Sequence, residues 1–131
     1  MILTVTASPY LLITNDLGET ITIDTVNTMH EASTVAGGFG TGVANTLFLG
    51  GMEALSIFPV PEISHYLRRV KVSGLPHEII PVAGPIPMHL TMRDPEGNET
   101  EFKDSPMPLD ASQLAMLRDL VVRQAENASW V

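Results

Sequence analysis

Nine consecutive residues, Ala36-Gly37-Gly38-Phe39-Gly40-Thr41-Gly42-Val43-Ala44, hold four of the ten glycines in this 131-residue chain. Glycine lets a ligand or a second stretch of backbone approach the main chain closely. Where such a stretch enters a helix, the first N–H groups are unpaired and suit an anion. A Walker loop needs Gly-Lys-Ser/Thr, but no lysine occurs between positions 36 and 50. A dinucleotide fingerprint needs a third Gly or Ala where Val43 stands. The stronger reading is therefore architectural, with glycines allowing a strand and a helix to pack tightly. Weak backbone binding of a substrate by Gly37, Gly38 and Gly40 is kept as the functional alternative.

The other reactive side chains form no set. His30, His65, His77 and His89 are scattered, and the one close pair, His30-Glu31, does not share a helix face. No metal site is expected. Ser8 and Ser64 have no evident His and Asp partners, so a hydrolytic triad is not expected either. Arg68-Arg69-Val70-Lys71 is the one basic cluster and suits the C-terminal dipole of a helix, with phosphate binding as the lesser reading. Met88, Met92 and Met107 offer adaptable apolar surface for self-association.

Composition narrows the classes further. A net charge of −8 with only seven Lys and Arg disfavours a nucleic-acid partner. The absence of cysteine excludes disulfides and thiolate metal sites, and a reducing cytoplasm is the expected address. Met1-Ile2-Leu3-Thr4-Val5-Thr6 lacks the basic residues of a signal peptide, and no window is apolar enough for a membrane span.

Strands are expected at 2–6, 11–15, 20–28, 54–58 and 79–82, with Ile21, Ile23 and Thr25 on a covered face. Helices are expected at 43–49 and from Pro61 to Gly74, the latter with Ile63, Leu67 and Val70 inward. Residues 88–92 and 99–102 form a hairpin around Asp94-Pro95-Glu96-Gly97-Asn98. Asp110 and Gln113 make a capping box for a last helix with Leu114, Leu117, Val121 and Ala125 on one face. Ser129-Trp130-Val131 begins another strand. Alternating strands and helices predict an α/β fold with a mainly parallel sheet.

The run Met1 to Thr6, then Ser8-Pro9, then Gly37-Gly38-Phe39-Gly40-Thr41-Gly42-Val43-Ala44 and Leu49-Gly50-Gly51, resembles the start of a PfkB (ribokinase-like) carbohydrate kinase. The branch it is most similar to phosphorylates fructose 1-phosphate and tagatose 6-phosphate, with the wording Leu-Thr-Val-Thr-x-Asn-Pro-Ala-x-Asp and Gly-Gly-Lys-Gly-x-Asn-Val-Ala. Pro81-Val82-Ala83-Gly84 and the hairpin turn also fit that branch. The resemblance implies the N-terminal part of a ribokinase-like fold, one partial domain over 1–131, in which strands at about 11–28 and 79–102 form a small β-lid. It also implies that the lid can serve as a dimer clasp.

The same resemblance locates what has changed. The aspartate expected to grip sugar hydroxyls falls at Leu12, the phosphate lysine at Phe39 and the sugar asparagine at Gly42. The basic lid position falls near Pro87, with His89 close by. Each charge-assisted bond to phosphate is worth roughly 1.5–3 kcal/mol, so losing two or three lowers affinity by about two to six powers of ten. The Gly-Ala-Gly-Asp-like motif that opens the ATP half is absent from the chain. ATP and Mg are thus expected only in a complete family member, and the expectation is the substrate side of a kinase, truncated or degenerate, without catalytic residues. The rival expectation is a non-catalytic module that pairs through its lid with a second copy or with a separate C-terminal half.

Overall fold

Strand β1 (Ile2–Val5) leads through Ser8-Pro9 into β2 (Tyr10–Leu17) and, after a loop, β3 (Met29–Gly37) in the computed structural model, which describes residues 1–131. Helix α1 (Phe39–Leu49) follows after Gly38 alone. Then come β4 (Ala54–Val60), α2 (His65–Ser73), β5 (His77–Pro81), β6 (Met88–Arg93), β7 (Glu99–Lys103) and α3 (Ala111–Ala125). Two sheets result: a parallel one in the order β1-β4-β5, and a mixed one in the order β3-β2-β6-β7. The first carries the core and the second is the lid.

Strand β4 explains the layering. Ile57 and Phe58 are both fully buried although successive strand residues point to opposite faces. Phe58 packs with Val60, Tyr66, Leu67 and Val70 in a cluster that also takes Ala44 and Leu11. Ile57 packs with Leu3, Ile80, Leu117 and Leu120 under α3. A parallel strand covered on both faces reads as one continuous apolar run, as Ala54 to Val60 does.

Several expected boundaries move, each for a local reason. Thr20 to Thr28 is a loop rather than a strand, and Ile23 is exposed instead of facing a core. Asn27 accepts a hydrogen bond from the Thr22 N–H (2.9 Å) and donates to the carbonyls of Thr22 and Thr25, while the Thr25 hydroxyl donates to the Thr22 carbonyl. Side-chain bonds of this kind compete with a sheet ladder, and Asp24 adds a left-handed φ of 62°. The strand sits instead at Met29–Gly37, antiparallel to β2.

Helix α1 starts at Phe39, four residues before the expected Val43. The α2 helix starts after Ser64, whose side chain accepts the Leu67 N–H, rather than at Pro61. Ile63 therefore lies outside the helix and is exposed. Residues 77–81 pair with β4, so they belong to the parallel sheet and not to the lid range expected from 79.

The β6–β7 hairpin, the left-handed Gly74 ending α2 and the Asp110/Gln113 capping box stand where the sequence places them. On α3 the buried residues are Leu117 and Leu120, whereas Leu114 is half exposed. Trp130 forms a single parallel bridge to Ile2, its carbonyl accepting the Leu3 N–H at 2.9 Å. No helix is long and apolar enough to cross a membrane.

Candidate functional site

The glycine stretch divides between three settings. Gly37 ends β3, where a side chain would overlap the Tyr10 ring. Gly38 is the junction to α1, with φ 125°, a region that favours glycine. Gly40 lies in the first turn of α1, and a Cβ there would stand 2.5 Å from the Val5 carbonyl oxygen. Gly37 thus lets β3 lie against the Tyr10 ring of β2, and Gly38 and Gly40 let α1 press against the end of β1. Gly42 differs: nothing lies within 4 Å of where its Cβ would be.

Beneath the turn lies a cluster of hydroxyls that sequence reasoning missed. The Thr6 Oγ1 accepts the Thr41 N–H at 2.8 Å and so caps α1 from a segment 35 residues away. Thr6 and Thr41 hydroxyls are 3.0 Å apart, and Thr41 Oγ1 lies 2.7 Å from the Tyr66 hydroxyl. Thr4 donates to Ser56 at 3.2 Å on the neighbouring strand. All five residues are buried. Burial pushes the Tyr66 phenol above its ordinary pKa, with the Thr41 hydrogen bond opposing the shift in part. Tyr66 therefore stays protonated and serves as a structural donor or acceptor. The alternation of Thr4 in β1 with Thr6 just beyond it was the only signal in the sequence.

The positions that differ from the kinase wording fall in separate recesses. Leu12 sits beside His89 across the parallel β2–β6 pair, with Thr14, Thr91, Arg93, Glu99, Glu101 and Lys103 on the same lid face. Phe39 and Gly42 border a shallow depression of about 410 Å³ along α1 with Gly38 and Val43, and no charged side chain lines it. Tyr10 borders both recesses, and its ring stacks on His89 with centroids 3.7 Å apart. Pro87 lines neither. It is buried in the strand lead-in, where its carbonyl accepts the Leu11 N–H at 2.9 Å.

The cations of the lid face are already engaged. Arg93 pairs with Glu99 at 2.8 Å and with Asp16 at 3.8 Å, and Lys103 pairs with Glu101 at 2.5 Å. Partial burial, and then the Lys103 charge, hold His89 below its usual pKa, so the ring is neutral near pH 7. Phe39 projects almost wholly into solvent, 93 % exposed. The remaining histidines stay apart: His30 lies against Gly18, His65 opens α2, and His77 donates its Nδ1–H to the Leu75 carbonyl. No three His, Asp or Glu side chains gather in a way that could hold a metal ion.

No family model matches this sequence, and no curated protein matches it. Solved structures do. Phosphofructokinase-2 from Escherichia coli in complex with fructose 6-phosphate superposes with a TM-score of 0.84 at 19% identity, over 93% of this chain and 41% of that one. The chain has a ribokinase-like fold. A protein from Thermotoga maritima described as a "possible 1-phosphofructokinase" gives a TM-score of 0.86 at 16% identity, covering 98% of this chain and 42% of its own. The tetrameric inhibited form of the Escherichia coli phosphofructokinase-2 gives 0.81 at 19% identity, over 93% and 41%. At these identities the likeness is one of fold. This chain spans about two fifths of the length of the kinases it matches, and it corresponds to their N-terminal part.

Proposed function

We propose that residues 1–131 form the substrate side of a PfkB-like sugar-kinase fold whose grip on phosphosugars has been lost, and that by themselves they transfer no phosphoryl group. The supporting observation is the lining of the two recesses that meet at Tyr10. The polar positions of the kinase wording are Leu12, Phe39 and Gly42, and the nearby Arg93 and Lys103 are neutralised by their own carboxylates. An incoming phosphate meets no unpaired cation there and faces an acidic lid edge. Phosphoryl transfer also needs a triphosphate cradle, a metal and a base held against the attacking hydroxyl. We assign none of these to a residue of 1–131.

Calorimetry with fructose 1-phosphate and tagatose 6-phosphate, together with an ATP-dependent phosphorylation assay, tests this reading. The expected result is no turnover and no binding tighter than about millimolar. The triple variant Leu12→Asp, Phe39→Lys, Gly42→Asn should gain at least about tenfold in phosphosugar affinity. Turnover by the unaltered chain, or tight binding without those substitutions, defeats the proposal.

A second reading rests on the apolar side chains that the lid leaves in solvent. Val35, Met88 and Phe102 are each about half exposed on its strands. Under this reading the lid pairs with a second copy, and sedimentation should give a species heavier than the 14.2 kDa chain. A monomer persisting at high concentration rules it out.

A further inference from the structure

Charge is spread unevenly over this molecule. The lid segments, residues 10–37 and 88–104, hold nine of the fifteen Asp and Glu but only two of the seven Lys and Arg. Seven of the eight net negative charges therefore lie on the lid. Four of the seven cations make no ion pair, and three of these, Arg68, Arg69 and Lys71, stand on α2. All three are exposed. Val72, 78 % open to solvent, shares their side of the helix, four residues from Arg68 and three from Arg69. Ile63, just ahead of the Ser64 cap, is almost wholly exposed as well. Free cations beside bare apolar side chains are the make-up of a contact surface.

The lid carries the counterpart. Strand register sets Glu31, Asp16, Arg93 and Glu99 in one row across β3, β2, β6 and β7. Three carboxylates there share one guanidinium: Arg93 lies 2.8 Å from Glu99 and 3.8 Å from Asp16, and Glu31 pairs with no cation. Like charges directly opposite each other across a strand pair are destabilising, and a further cation relieves them. Glu19, in the loop after β2, is exposed and unpaired too. The same loop leaves Ile23 and Val26 almost wholly in solvent and leads to a half-exposed Met29. These carboxylates are not gathered closely enough to hold a metal ion. A guanidinium or ammonium needs only one or two of them at a time.

We infer that α2 of one copy docks on the far end of the lid of a second copy, setting Arg68, Arg69 and Lys71 against Asp16, Glu19 and Glu31. The inference rests on the second reading above and deepens it by naming what the lid meets. The chain is its own complement in charge, and both surfaces are free on every copy. The contact is therefore made twice, in a two-fold dimer. Exposed ion pairs alone hold little. Val72 and Ile63 against Ile23, Val26 and Met29 supply the apolar part, and the charges decide which surfaces meet.

Sedimentation equilibrium tests this. In about 50 mM NaCl a species of twice the 14.2 kDa chain mass should form with a dissociation constant of about 10–100 µM. It should weaken at least about tenfold in about 500 mM NaCl. The paired changes Arg68→Glu with Arg69→Glu, and Glu19→Lys with Glu31→Lys, touch only exposed residues, so both variants should fold normally. Each alone should be monomeric at about 100 µM. Mixing the two restores opposite charges at both contacts, and a one-to-one heterodimer should return. A dimer that survives the α2 reversal, or strengthens with salt, overturns the inference and leaves the second reading standing. A monomer at every salt concentration overturns both. A mixture of the two variants that stays monomeric overturns the inference. So does a monomeric chain whose α2 arginines bind polyglutamate, since its partner then lies elsewhere.

Discussion

The parallel sheet and the lid both carry apolar strand residues, yet the parallel sheet buries far more of them. Leu3, Ile57, Phe58 and Val60 are wholly removed from solvent because α1 and α2 cover one face of their sheet and α3 the other. In the lid, Phe102, Met88 and Val35 remain about half exposed, and the charged pairs Arg93–Glu99 and Lys103–Glu101 occupy one face. The contrast shows where burial stabilises the molecule and where apolar surface is left over. Burial per strand depends on how many layers cover it, and a single-layer sheet keeps its surface for a ligand or a partner.

The contrast fails if the two regions respond alike to truncation. Phe58→Ala should cost about 3–5 kcal/mol, whereas Phe102→Ala should cost no more than about 1 kcal/mol, as urea unfolding can measure. Comparable losses would mean that the lid is a second core.

A finer division runs within α1. Gly40→Ala forces a methyl against the Val5 carbonyl and should destabilise by roughly 1–3 kcal/mol. Gly42→Ala meets open space on a helix and should stabilise by about 0.5–1 kcal/mol. Equal signs for the two changes would remove the claim that the first glycines exist for close packing.

The smallest effect concerns pH and the lid alone. His89 is held below its usual pKa, so the unfolded chain takes up that proton more readily than the folded one. Above about pH 6.5 both states are neutral at this site and nothing is gained or lost. Below that value stability falls, and the loss levels off once pH passes under the folded pKa. The ring is partly exposed, so the change is small. Comparing pH 7.5 with pH 5.5, the unaltered protein should lose more in its urea midpoint than His89→Gln. Identical losses would place His89 in an ordinary solvated setting.

What was legible in the sequence follows from range. The β6–β7 hairpin announces itself through alternation and a turn sequence, and Asp110 lies three residues from the Gln113 that completes its cap. Helix α1 could not be started correctly from its own residues, since its cap is Thr6, on the far side of the whole β2–β3 excursion. The loop at 20–28 looked like a strand because its threonines and isoleucines have strand propensity; the side-chain bonds of Asn27 override that preference. At the candidate site, the glycines signalled close approach, and the resemblance located Leu12, Phe39 and Gly42. That Tyr10 joins the two recesses depends on the parallel pairing of β2 with a strand some eighty residues on, which no local pattern encodes.

One connection bears on how this molecule can move. The lid joins the body through residues 6–9, 82–87 and 104–110, and through Gly38 alone. Three of these connections run for several residues and the fourth is a single residue. At the β3 edge the lid meets the body with one residue between strand and helix, so a rotation of the lid about Gly38 would have to turn α1 with it. Because the Thr41 hydroxyl on that helix engages Thr6 and Tyr66, such a turn would strain hydrogen bonds buried in the body of the protein.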